Sequence, residues 1–295
     1  MTTLRNFPVE EFLWGLGAAV LALLAAAVES RRHADHALVA GLVTTAAALG
    51  AISRTWSVVP AALLGLGGVA AALAWLDRRR QATGRALLTA AVLMTPFVAV
   101  LAVDVSSTWW VRGFVGASVV LGAIAASRTD AAWGDMGVPP ALYAITAAGV
   151  FAAVPDTEQA ATLLGASVPL AMCGWPLGHA RLGPIGAGAA TALLVWVAAV
   201  GGRGREPSIV GAVACLGLLV TLPAGRWLAG RAGRPRAVCH RRHAAVLLVG
   251  VHLAVVAVAS RVAGVASDLD VAVPVAAGTL LAALAAGTWL SATQR

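Results

Sequence analysis

The chain has 295 residues, 60% of them hydrophobic and 12% charged, with a mean hydropathy of +0.86 and a formal net charge of +8. Soluble domains carry roughly 25% charged residues, and a water-soluble fold of this length cannot hide so much apolar surface, so a soluble globular domain is excluded. A pI near 11.2 would suggest nucleic acid in a soluble protein, but here the basic residues sort by side of a membrane, and no nucleic-acid partner is expected.

Apolar runs recur along the whole chain, most of them close to the ~20 residues of helix that cross about 30 Å of hydrocarbon. They are continuous and rich in Ala, Leu, Val and Gly, unlike the alternating segments of about 10 residues that build a membrane β-barrel. The expected fold is all-α: a polytopic transmembrane helical bundle of about eleven spans, forming one integral membrane domain over 1–295. The lipid bilayer of a bacterial plasma membrane is the expected surrounding.

In chain order the spans are expected near 12–28, 37–52, 58–76, 86–103, 108–126, 139–154, 160–177, 184–200, 208–224, 244–260 and 271–290. The first resembles a signal peptide in following Arg5 and ending in Ala25, Ala26 and Ala27, but Glu10 and Glu11 occupy the place of a basic n-region. It is therefore read as a permanent helix. Connections such as 53–57 and 104–107 are short, so consecutive helices should be antiparallel neighbours. Gly65 and Gly68 in the third span, and Gly183, Gly186 and Gly188 at the start of the eighth, are small residues suited to close helix contact. A short echo relates Gly116–Leu121 in the fifth span to Gly165–Leu170 in the seventh. Both would run in the same direction, unlike the inverted repeats common in transporters.

Orientation follows from the arginines, which supply all 21 basic side chains of the Lys and Arg class. With the N-terminus outside and the C-terminus inside, 15 fall in cytoplasmic segments, five in external ones, and Arg112 falls within a span. That asymmetry follows the positive-inside rule. Several of the ten tryptophans, including Trp14, Trp56, Trp75, Trp109, Trp110 and Trp289, fall at or near expected helix ends as interfacial anchors.

Charged or ionisable groups inside hydrocarbon are costly and mark candidate sites. Arg112 enters the fifth span, and Asp104 closes the preceding helix on the same side, so the pair could face each other across a tight hairpin and contact an anion or headgroup. His252 is the one histidine deep in a span, able to donate to another helix or to carry a proton. Asp104, Arg112 and His252 are thus the candidate substrate-binding residues. No mid-span carboxylate accompanies His252, because all 13 acids lie in loops or at helix ends.

The 225–243 loop carries Arg226, Arg231, Arg234, Arg236, Arg241 and Arg242, a juxtamembrane cluster suited to anionic lipid headgroups or to an acidic surface on a membrane-protein partner. The i, i+3 pairs His33 with His36 and His240 with His243 stand among arginines that repel a cation, so no metal is expected. Cys173, Cys215 and Cys239 make no ligand spacing. The prolines of the seventh span, Pro169 and Pro176, point to a broken helix of the kind that can line a cavity.

No metalloprotease helix, Walker A loop or pair of Asp-rich motifs is present, so no catalytic residue, cofactor or enzymatic activity is nominated. Two functions fit the chain. The first is a secondary carrier or flippase for a small or lipidic substrate. The alternative is a non-catalytic membrane scaffold or subunit of a cell-envelope or secretion complex. Convergence of Arg112, His252, Tyr143 and Thr146 on a water-accessible cavity would favour transport, and an interior filled with Ala, Leu and Val would favour the scaffold.

Overall fold

The computed structural model describes residues 8–29, 109–118, 137–154, 158–175, 190–191, 193–195, 197–199, 207–217 and 241–265, with single positions at 274, 277, 278 and 281. Among the described residues the chain is all-α, with seven helices: α1 (Val9–Glu29), α2 (109–118), α3 (Val138–Ala153), α4 (Glu158–Gly174), α5 (within 190–199), α6 (207–217) and α7 (Arg241–Val265). In order they fall on the first and the fifth to tenth expected spans. The expected spans at 37–52, 58–76 and 86–103 lie outside the described residues, as do Gly65, Gly68, Gly183, Gly186 and Gly188.

Among the described residues no helix is long and apolar enough to cross a membrane. The backbones of α1 and α7 run for 21 and 25 residues, a rise of about 31 and 37 Å, and the apolar character of those full runs is read from the sequence.

Local chemistry explains where the helices start. In α1, Glu10 and Glu11 occupy the first turn, where carboxylates oppose the positive end of the helix dipole. Entry to α3 is through Gly137, in the left-handed region at φ 66°, followed by Pro139 and Pro140. First-turn prolines fit because their missing N–H groups have no intrahelical partner there.

Helix α1 packs on α4, α4 on α3, and α3 on α7. The α3–α4 pair is an antiparallel hairpin: a Cβ on Gly137 at the start of α3 would overlap the carbonyl of Gly174 at the end of α4, and one on Gly174 would lie 2.7 Å from Pro140 Cβ. This is the neighbour arrangement expected from short connections.

Helices α3 and α7 run in the same direction. Thr146 meets His252, 106 residues later, and Gly149 seats Val256, 107 residues later, so the register offset stays constant as both chains advance. Three described helices, α4, α5 and α6, stand between them in sequence. With three helices between them there are four reversals of direction, an even number that restores the original one, so the pairing agrees with the order of the spans.

Helices α1 and α4 also approach closely. A Cβ on Gly15 would overlap Thr162 O and lie 2.8 Å from Thr162 C and 3.0 Å from Ala166 N. Reciprocally, one on Gly165 would overlap Phe12 O and lie 2.9 Å from Phe12 C and 3.1 Å from Leu16 N. Each glycine therefore lets the other helix's backbone come into contact, the small-residue packing that brings membrane helices together. By contrast an added Cβ on Gly116, the counterpart of Gly165 in the sequence echo, meets nothing within 4 Å among the described residues. The two glycines do different work.

Pro169 does not break α4. The helix is continuous from Glu158 to Gly174 and carries Pro169 inside it, ending with Trp175 N–H bonded to Ala171 O at 2.8 Å. The proline removes one donor, that for Gly165 O, and the helix continues for five more residues, Leu170 to Gly174. The expectation of a break at Pro169 is corrected to a helix that stops at Gly174; Pro176 lies outside the described residues.

Helices α1 and α7 are apolar on their outer faces as well as their inner ones. On α1 the inner face holds Gly15, Ala18 and Ala19, while Leu13, Trp14, Leu21 and Leu24 point outward, Leu21 being 67% exposed. On α7, His252, Val256, Ala259 and Ser260 are buried, whereas Val246, Leu253 and Val258 are each more than half exposed. Every described position of α5 is buried, as is α6 from 208 to 216, which places these two helices at the centre of the bundle.

Candidate functional site

Besides the tyrosine Tyr143, the described interior contains seven buried polar side chains: Thr146, Thr162, Ser167, Thr191, Ser208, His252 and Ser260. Four hydroxyls fold back on their own helix: Thr146 donates to Leu142 O at 2.8 Å, Thr162 to Glu158 O at 3.0 Å, Ser167 to Leu164 O at 2.8 Å and Ser260 to Ala257 O at 3.1 Å. Local bonding of this type satisfies a hydroxyl without water.

One of these residues also bonds across helices. Thr146 Oγ1 on α3 lies 3.0 Å from His252 Nε2 on α7, with exposures of 0% and 1% respectively. Spacing puts them together: Leu142, Thr146, Gly149 and Ala153 share one stripe of α3, and His252, Val256 and Ala259 share one stripe of α7. Gly149 supplies the clearance, since a Cβ there would overlap Val256 Cγ1 and lie 3.6 Å from Cys215 Sγ on α6. Three helices therefore meet within one turn of the His252–Thr146 bond.

Thr146 Oγ1 lies within hydrogen-bond reach of both Leu142 O and His252 Nε2, and which of Thr146 and His252 donates follows from the imidazole tautomer. Nδ1 has no hydrogen-bond partner. The hydroxyl of Tyr143, one turn before Thr146 on α3, is likewise buried and without a partner. Two buried polar atoms, Tyr143 OH and His252 Nδ1, are thus without a hydrogen-bond partner.

Of the residues singled out in the sequence, His252 and Thr146 meet here, and Tyr143 is buried on α3 three residues before Thr146. Arg112 is on α2, half-buried and engaged in an interaction of its own, while the contacts that join Thr146 to His252 come from α3 and α7. Asp104 lies outside the described residues, and so does its suggested pairing with Arg112. Arg226, Arg231, Arg234 and Arg236 also lie outside them. Arg241 and Arg242 form the first turn of α7, at the helix end whose dipole disfavours cations.

Among the described residues no group of three His, Cys, Asp or Glu side chains is placed to hold a metal ion. Cys215 is a buried free thiol and Cys173 a half-buried one. The interior polar groups are hydroxyls and one imidazole, which can donate and accept neutral hydrogen bonds.

The sequence reading missed the glycines that set the helix contacts, Gly15, Gly149 and Gly165. A signal was present in Gly15-x-x-x-Ala19 and Ala161-x-x-x-Gly165, each a pair of small residues one turn apart. Among 32 glycines that pattern recurs too often to single out these positions.

Compared with known protein families, curated proteins and solved structures, the chain matches none.

Proposed function

We propose that the chain is a multi-pass helical protein of a bacterial plasma membrane and, within that class, a non-catalytic scaffold or subunit of a cell-envelope or secretion complex. The apolar outer faces of α1 and α7 support the membrane setting. Leu13, Trp14, Leu21 and Leu24 on α1 and Val246, Leu253 and Val258 on α7 face outward, where water would penalise them and acyl chains would not. The charges support it too. From Glu11 to Glu29 on α1, and from Arg242 to Arg261 on α7, no Asp, Glu, Lys or Arg intervenes. These spacings rise about 27 and 28 Å, close to the ~30 Å hydrocarbon thickness.

The observation that carries the scaffold reading is the closed interior of the described helices. Backbones touch at Gly15 with Gly165 and at Gly137 with Gly174, and the Thr146–His252 bond is sealed. A carrier exposes its binding residues to water in at least one state. In the scaffold reading the outward apolar faces of α1 and α7 and the arginine-rich sequence of 225–243 would serve partners and anionic lipids.

The second reading is the secondary carrier or flippase for a small or lipidic substrate, favoured by the partnerless Tyr143 hydroxyl and His252 Nδ1. Purification of the intact protein from native membranes in mild detergent, with mass spectrometry of co-purifying proteins and lipids, separates the two. A stoichiometric protein partner, lost when Arg226, Arg231, Arg234, Arg236, Arg241 and Arg242 are replaced by Gln, supports the scaffold. An isolated chain carrying one enriched lipid or metabolite overturns it in favour of the carrier.

A further inference from the structure

We propose that the His252–Thr146 pair is a register lock, a polar clasp at mid-depth of the bundle that holds α7 at one height on α3. Three observations converge on it. Thr146 Oγ1 and His252 Nε2 lie 3.0 Å apart, and both residues are buried. One turn further along, a Cβ on Gly149 would overlap Val256 Cγ1, so the polar and the steric contact share one register. Finally, His252 stands ten residues after Arg242 and nine before Arg261, a rise of about 15 and 14 Å. It is therefore central in a charge-free stretch that matches the ~30 Å hydrocarbon core. The placement at mid-depth rests on the membrane reading.

Apolar shape alone discriminates poorly between registers. If α7 moved one turn along α3 in one sense, Val256 would face Ala153 and His252 would face Gly149. In the other sense Ala259 would face Gly149 and His252 would face Leu142. Small residues receive the helix in either case. The imidazole fits neither, because it would leave the Thr146 oxygen while its Nδ1 is already without a partner, and an unpaired polar group in hydrocarbon is heavily penalised. Single buried polar residues fix helix register in coiled coils in the same way. What the lock fixes here is the height of the amino end of α7, where Arg241 and Arg242 form the first turn and the arginine-rich sequence of 225–243 ends. Each turn of slip would shift that end by about 5.4 Å relative to α3 and draw Arg242 or Arg261 toward the hydrocarbon.

The test uses the full-length protein in lipid nanodiscs, with Cys173, Cys215 and Cys239 replaced by Ala and new cysteine pairs joined by oxidation, read by mass spectrometry of the linked peptides. Ala153→Cys with Ala259→Cys has the same offset of 106 as Thr146 with His252 and should join readily. Ala153→Cys with Val256→Cys reports a one-turn slip in one sense, and Val150→Cys with Ser260→Cys a slip in the other; both should join poorly. Thr146→Ser, which keeps the hydroxyl, should leave this pattern unchanged. Thr146→Val, which keeps the side-chain shape and drops the hydroxyl, and His252→Leu should lower the native cross-link and raise a slipped one.

An unchanged pattern in Thr146→Val overturns the lock. The cross-links read register in any solvent, whereas carbonate extraction reads the membrane setting, so failure of one is distinguishable from failure of the other. The unfolding equilibria of Thr146→Val, His252→Leu and the double variant give a second readout. A clasp makes the two changes non-additive by about threefold to twentyfold in the equilibrium constant. Additive effects contradict it.

Discussion

Replacing Gly15 by Ala adds one methyl group where α1 and α4 touch, and Gly17→Ala makes the same chemical change two residues along the same helix. At Gly15 the new Cβ would overlap Thr162 O and lie 2.8 Å from Thr162 C, whereas at Gly17 nothing stands within 4 Å among the described residues. Both variants gain the helix preference of Ala over Gly, about 1 kcal/mol, and this term cancels in the comparison. Overpacking a close contact costs about 1–3 kcal/mol. Because the obstacles at Gly15 are main-chain atoms of a second helix, relief requires the helices to part. Gly17→Ala is therefore expected to be neutral or stabilising by up to about 1 kcal/mol. Gly15→Ala should be less stable than Gly17→Ala by about 1–3 kcal/mol. Unfolding in mild detergent, titrated with SDS and followed by helical circular dichroism, measures both. Gly165→Ala should match Gly15→Ala, and the double variant should lose less than the sum, since one separation of the helices relieves both overlaps. Equal stability of Gly15→Ala and Gly17→Ala would refute the contact.

At Gly149 the obstacle is a side chain, so Gly149→Ala should destabilise by about 1–3 kcal/mol and Val256→Ala should recover part of that loss, as the same unfolding assay would show. Gly137→Ala combines a left-handed conformation, φ 66°, costing about 1–2 kcal/mol, with overlap on the Gly174 carbonyl. It should part the open end of the α3–α4 hairpin, and faster proteolysis near 137 and 175 would reveal this. Leu253, 55% exposed on α7, faces acyl chains in the membrane reading. Leu253→Arg should then cost about 2.5–3.5 kcal/mol at the helix centre and reduce the membrane-inserted amount. The same change on a water-facing surface is worth about ±0.5 kcal/mol, and an unaltered level would count against a lipid-facing α7.

Helices were the most legible part of the sequence, because an apolar run of spanning length bounded by charge has few alternatives. The expected 139–154 and 160–177 correspond to Val138–Ala153 and Glu158–Gly174. Tertiary partners were less legible. His252 stood out as the lone deep histidine, and a bond to another helix was among its expected roles; that Thr146 is the partner depends on the α3–α7 register, which no local pattern encodes. Pro169 suggested a break because a proline removes one backbone donor, yet one missing bond within α4 leaves the helix intact. Gly15 and Gly165 were hidden by composition: where most neighbours are Gly or Ala, the stripe that touches another backbone looks like the stripe that does not. The pairing of Asp104 with Arg112 and the arginines of the 225–243 segment before Arg241 concern positions beyond the described residues.

The most direct test of the central proposal is where the intact chain resides after its cells are broken and the membranes are washed with alkaline carbonate. A multi-pass bundle stays in the membrane pellet and is released by detergent alone. Recovery of the chain in the carbonate supernatant, folded and without detergent, would contradict the assignment of the outward Leu, Val and Trp side chains to lipid.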